Sequence, residues 1–139
     1  MLKCLAIFLL SLMTTKVSAE QLSAFLTPIT NLPAGELTDG TVIAMGKLNY
    51  QGKHSGYFIQ QREGGGNNSH SIVIHSLNNP SHLLILRVIG EGWISHPEKG
   101  IVILTEKDSA EYSLVVAGNQ SVSADIWQIN LLAGVLPAN

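Results

Sequence analysis

The sequence predicts an all-β domain, a sandwich or barrel of roughly seven or eight short strands. Three observations carry that prediction. Apolar and polar residues alternate with period two in one segment after another. Turn-forming residues punctuate these segments every several positions. No segment sustains an apolar period of 3.6 between helix caps.

The N-terminal stretch stands apart from this pattern. Met1-Leu-Lys3 is a short positive start, Cys4 to Met13 is an almost unbroken apolar run, and Val17-Ser18-Ala19 is a small-residue cleavage pattern. Together they predict a secretory signal peptide over residues 1–19, cut after Ala19, which leaves residues 20–139 as a single domain. The apolar run is too short to span a bilayer. Lys3 and Lys16 leave with the signal, so six of the eight Lys/Arg remain against ten Asp/Glu, a formal charge of −4. That acidic balance argues against nucleic acid, which needs a basic footprint. Cys4, the single cysteine, leaves as well. The exported chain therefore enters a disulfide-permissive compartment without a thiol to pair.

Along the remaining chain, Leu22 to Thr30 reads as a first strand, which Pro28 confines to an edge or a bulge. Asn31-Leu-Pro-Ala-Gly35 is a turn. Thr41 to Tyr50 alternates, with Val42, Ala44, Gly46 and Leu48 against Ile43, Met45, Lys47 and Asn49. Ser55 to Gln61 resumes the alternation after Gln51-Gly-Lys-His54. Glu63-Gly-Gly-Gly-Asn-Asn-Ser69 reads as a hairpin tip. A phosphate cradle would need a helix directly after it, and the β-branched Ser71-Ile-Val-Ile-His75 follows instead. His82 to Ile89 is a long apolar strand, Gly90-Glu-Gly-Trp93 a bulge or close approach, and His96-Pro-Glu-Lys-Gly100 a turn. Ile101 to Thr105 and Glu111 to Ala117 are two further strands.

Ala124 to Pro137 is the last strand, with Trp127, Ile129 and Leu131 on one face and Gln128 and Asn130 on the other. An apolar strand at the end of a β-domain needs cover, because an open apolar edge invites aggregation.

Candidate chemistry is sparse. His54, His70, His75, His82 and His96 show no metal-ligand spacing, so no metal and no cofactor is expected. There is no nucleophile elbow, and Glu91, Glu98 and Glu111 are not brought together by any pattern, so no catalytic residues and no enzyme activity are expected. Trp93 and Trp127 sit beside strand patterns and read as core or cleft fillers.

Asp39-Gly-Thr-Val-Ile-Ala-Met-Gly46, His54-Ser-Gly-Tyr57, Leu86-Arg-Val-Ile-Gly-Glu-Gly-Trp93, Lys99-Gly100 and Val116-Ala-Gly-Asn-Gln120 occur in one order. Over residues 37–135 this set resembles the AfaD family of fimbrial invasins, the minor tip subunits encoded with Afa/Dra-type adhesins. The resemblance implies an incomplete immunoglobulin-like β-sandwich that lacks its final strand and is completed by donor-strand addition. It implies a minor fimbrial tip subunit or invasin-type adhesin, assembled by the chaperone–usher route and mediating attachment to or entry into host cells. Its expected partners are a periplasmic chaperone, an outer-membrane usher, a neighbouring subunit that donates a strand, and a host-cell receptor contacted by residues the sequence does not identify. Its expected location is the fimbrium at the bacterial surface. With the terminal strand, this nominates Phe25, Ile29, Trp127, Ile129 and Leu131 as the walls of the strand-acceptor groove. The resemblance also implies a cysteine pair joining an early strand to the last. Tyr50 and Val135 stand at the matching positions, so a bridge of a kind that contributes about 2–5 kcal/mol is absent. A periplasmic or secreted β-sandwich inhibitor or immunity protein is the alternative, and it would fold alone without a chaperone.

Overall fold

Strand ladders pair the backbone groups that burial would otherwise leave unsatisfied. The computed structural model describes residues 6–14, 16–17, 20–29, 32–61 and 71–138, and these form fourteen strands and no helix. The positive start Met1–Lys3, the cleavage-site residues Ser18 and Ala19, the glycine-rich loop 63–69 and His70 lie outside the described residues.

Two five-stranded sheets face each other. The first runs β1 (Ile7–Thr14), β14 (Ile126–Leu136), β7 (Gly56–Gln61), β11 (Gly100–Leu104) and β10 (Trp93–His96). The second runs β4 (Ser23–Pro28), β6 (Val42–Asn49), β12 (Ser109–Val116), β9 (Leu83–Ile89) and β8 (Ser71–His75). Two short ladders join β2 (Lys16–Val17) to β3 (Glu20–Gln21), and β5 (Gly35–Leu37) to β13 (Gln120–Val122). Pairing is antiparallel throughout except that β1 runs parallel to β14.

The core lies between the sheets. Ile43, Leu48, Leu84, Leu86 and Leu114 come from one side, and Tyr57, Ile59, Trp127, Ile129 and Leu131 from the other. Burying each such large apolar side chain contributes about 1.5–3 kcal/mol. The period-two reading of β6 holds from Ala44 to Leu48 and breaks above it. Leu114 is opposite Ala44 while Val115 is opposite Val42, so β6 carries Ile43 as an extra residue. This bulge turns Ile43 inward beside Ala44, and both are fully buried.

Pro28 ends an edge strand, β4, where its missing N–H costs no ladder bond. Two strands of the main sheets, β1 and β10, were not foreseen from the residues, nor were the two short ladders β2–β3 and β5–β13. β10 is too short to show a period. β1 falls inside the stretch that reads as a signal.

Candidate functional site

β14 is the element around which the candidate site is built. Trp127, Ile129 and Leu131 are buried in the core, and Gln128 and Asn130 lie half-exposed on the opposite face. Among the described residues, the ladder with β7 covers Leu131–Leu136. Upstream of Leu131, again among the described residues, that flank is met by a bridge, Ser76 to Trp127, and by Leu77 N–H donating to the Ile126 carbonyl at 2.8 Å. On the other flank, β1 pairs in register along Ile126–Ala133.

β1 seals that edge. Ala6 and Phe8 are buried and Leu10 packs on the core, while Ile7 and Leu9 are 52 % and 45 % exposed. Ile7 N–H donates to the Asp125 carbonyl at 3.1 Å, and Ala6 N–H to the Leu32 carbonyl at 3.3 Å. β1 also lies against β4, so it fills a seam between the two sheets. The groove beneath it has β14 as one wall and β4 as the other.

The β4 wall differs from the expected one. Phe25 is 59 % exposed and stands opposite Lys47 on the outer face, and Ile29 is only half-buried beyond the strand's end. The register with β6 explains this. Ala24 pairs with inward-facing Leu48 and Leu26 with inward-facing Gly46, so the residue between them must point out. Ala24 and Leu26 pack on the core instead, with Leu22 buried just upstream. Phe25 joins Met45, Ile89 and Leu104 around an open depression of about 980 Å³ on the outer surface.

The sequence landmarks that carry the resemblance turn out to hold the fold. The Asp39 carboxylate accepts from Arg87 Nη1 at 2.5 Å and from Gly118 N–H at 2.8 Å. Asp39 N–H in turn donates to Asn119 Oδ1 at 2.8 Å. Arg87 and the Gly118 amide together hold the Asp39 carboxyl below the usual carboxylate range. The Gln120 amide clamps the Ile85 backbone, accepting its N–H at 2.9 Å and donating to its carbonyl at 2.8 Å. Gln61 does the same to Val73. In the glycine-tryptophan turn, Trp93 Nε1 donates to the Glu111 carbonyl at 2.9 Å, and a side chain at Gly90 would run into the indole.

The described histidines have local structural roles. His54 is buried between Tyr50 and Tyr57, ring centroids 5.5 and 4.9 Å away, and both its nitrogens meet backbone carbonyls, of Gly52 and Lys107, at 2.7 Å. Tyr57 donates to the same Lys107 carbonyl at 2.8 Å, and burial pushes its hydroxyl up to about 12. Val135 is the register partner of Tyr57, so contacts run from Tyr50 through His54 and Tyr57 to Val135, joining the two positions that match the family's cysteine pair. His82 Nδ1 donates to Asp125 at 2.8 Å, and His96 Nδ1 accepts from the amides of Glu98 and Lys99. Among the described residues, no group of three or more His, Cys, Asp or Glu is placed to hold a metal.

The model of the Enterobacteria AfaD invasin protein family matches residues 33–133. No curated protein matches the sequence. Among solved structures, the Salmonella SafD adhesin is 36 % identical with a TM-score of 0.78, covering 86 % of this chain and 90 % of that one. The minor tip subunit HdaB of the E. coli Hda pilus is 26 % identical with a TM-score of 0.71, covering 84 % of this chain and 83 % of that one. AggB, the minor subunit of aggregative adherence fimbriae type I from E. coli, shares the fold at 21 % identity and a TM-score of 0.63, covering 73 % of this chain and 74 % of that one. The order of strands, the Asp39–Arg87–Gly118 knot on the resemblance landmarks and the match over residues 33–133 agree: the chain is an immunoglobulin-like β-sandwich and belongs to the AfaD family of fimbrial invasins.

Proposed function

We propose that this chain is a minor, invasin-type adhesive subunit at the tip of a chaperone–usher fimbrium. Residues 1–19 direct its export and are removed. The groove between β14 and β4 then accepts a strand, first from a periplasmic chaperone and, after delivery to the usher, from a neighbouring subunit. At the cell surface the subunit mediates attachment to or entry into host cells.

One observation carries this reading. The buried row Trp127, Ile129 and Leu131 sits on a strand whose flank from Ile126 to Ala133 is covered, among the described residues, by β1 alone. β1 lies within residues 1–19. A chain beginning at Glu20 has an unpaired ladder edge over an apolar row, which native proteins do not leave open. An added strand supplies the main-chain hydrogen bonds and fills the pockets with alternate side chains.

The length left after cleavage supports tip placement. A donor extension needs on the order of ten residues ahead of the first strand. Ser23–Pro28 is instead an integral strand laddered to β6, and once residues 1–19 are removed Glu20, Gln21 and Leu22 precede it. The subunit accepts a strand and does not donate one.

Co-expression of residues 20–139 with the chaperone of an AfaD-type fimbria tests the reading. The wild-type chain should co-purify with the chaperone. Ile129→Asp should abolish capture by burying an unpaired carboxylate, and Gln128→Asp should be captured normally. Equal capture of both variants, or a chain that stays soluble and uncomplexed, contradicts it.

A further inference from the structure

A smaller cleft opens on the flank of β14 that faces away from the groove. Past the Ser76–Trp127 bridge, β8 and β14 part and leave a space of about 340 Å³, within the range of small-molecule sites. Hydrogen bonds pin it at both ends. Leu77 N–H donates to the Ile126 carbonyl at 2.8 Å, and Gln61, the register partner of Leu131, grips both backbone groups of Val73 on β8. We propose that this cleft binds a neutral glycan, which rests on the adhesive reading above and gives the subunit's target a chemical class.

Three observations carry it. The first is a pair of unengaged carboxamides. Burial of Trp127, Ile129 and Leu131 fixes β14, so Gln128 and Asn130 line the cleft from its opposite face, about 7 Å apart along the strand. Both are half-buried, and neither side chain has a hydrogen-bond partner among the described residues. Each offers donors and an acceptor in one plane. Asn is a poor strand former, and packing alone would favour a β-branched residue at position 130.

The second is the wall across from them. His75 Nδ1 donates to the Pro80 carbonyl at 2.9 Å, which leaves Nε2 of the neutral ring as an acceptor. Ser76, 2 % exposed, accepts the amides of Asn78 and Asn79 on Oγ at 3.1 Å and keeps its hydroxyl hydrogen to donate. Donors and acceptors thus line one space, and a sugar hydroxyl, itself both donor and acceptor, needs both. Leu77 and Pro80 are exposed and add an apolar surface for the C–H face of a sugar ring.

The third is what the lining excludes. Among the described residues it holds no Asp, Glu, Lys or Arg, so nothing there pairs with a carboxylate, sulfate or phosphate. A peptide added as a strand would need open backbone groups on β8, and those of Val73 are taken by Gln61.

The test uses residues 20–139 as purified with the chaperone, or free where the chain purifies uncomplexed. The isotope-labelled chain is titrated with lactose, N-acetyllactosamine and mannobiose, and with N-acetylneuraminic acid as the anionic counterpart, and followed by proton–nitrogen NMR. At least one neutral glycan should shift the side-chain amide signals of Gln128 and Asn130 saturably in the millimolar range, and the acid should not. Asn130→Val and Gln128→Leu should each weaken that binding roughly tenfold. Lys47→Ala, on the other sheet, should leave it unchanged. No saturable shift with any neutral glycan, binding that survives both substitutions, or preference for the acid overturns the site. Capture by the chaperone without glycan binding removes the glycan site alone. Glycan binding by a chain that the chaperone does not capture keeps the site and removes the groove reading.

Discussion

Asp39 shows how single residues hold this fold. Its carboxylate joins the β5–β6 turn to Arg87 on β9 and to the turn before β13. The Arg87 hydrogen bond is the first cause of its lowered pKa, and the Gly118 amide the second. Because the folded-state pKa lies below the ordinary value of 3.8, the stability it brings is present above that value and is lost as pH falls through the folded pKa. Asp39→Asn should therefore unfold at lower urea than wild type at pH 7, and the gap should close below about pH 4. Midpoints measured across that range check this. Tyr112 makes the opposite case. Its ring covers Gly46, where any side chain would collide with it, and its buried hydroxyl has no hydrogen-bond partner among the described residues. Burial pushes that hydroxyl well above the usual tyrosine range. Removing an unsatisfied buried hydroxyl relieves a desolvation penalty of about 1–3 kcal/mol. Tyr112→Phe should hold or raise the melting temperature, while Tyr57→Phe, which loses the bond to Lys107, should cost about 1 kcal/mol. A lowered Tm for Tyr112→Phe would show that the hydroxyl has a partner in solution.

At the scale of elements, β14 was legible because Trp127, Ile129 and Leu131 alternate with Gln128 and Asn130, so the inward face of that stretch is set by period. β4 was recognisable as a strand but not in its phase. Ser23-Ala-Phe-Leu-Thr27 holds apolar residues at three consecutive positions, and only the register with β6 selects Ala24 and Leu26 as the inward pair. The largest apolar residue, Phe25, is consequently the exposed one. Leu26→Ala should cost about 2 kcal/mol or more in urea unfolding, and Phe25→Asp should stay within about 0.5 kcal/mol and leave chaperone capture intact. A Phe25→Asp chain that loses capture would return that residue to the groove. β1 was hidden for a different reason: a leader run and a groove-filling strand are both simply apolar, and nothing local distinguishes them. The bulge at Ile43 was also beyond reach, since it depends on how β12 pairs across.

For the whole molecule, the fold class and the family landmarks were readable, and those landmarks fix turns and clamps. Asp39, Arg87, Gly118, Asn119 and Gln120 are spaced by the topology that they hold together. What covers β14 was not readable, because the covering strand comes from the other end of the chain and runs parallel. The domain also lacks the cysteine pair that the resemblance implies for the family, and the Tyr50–His54–Tyr57 stack lies beside Val135 in that region. The central claim is that the domain from Glu20 onward lacks one strand. The most direct measurement is urea unfolding of residues 20–139 with and without an alternating apolar strand appended after Asn139. The appended strand should convert an aggregation-prone chain into a cooperatively unfolding monomer, with its midpoint raised by several molar, on the order of what burying three or four large apolar side chains supplies. A cooperatively folding monomer of the same midpoint without the added strand would contradict the account.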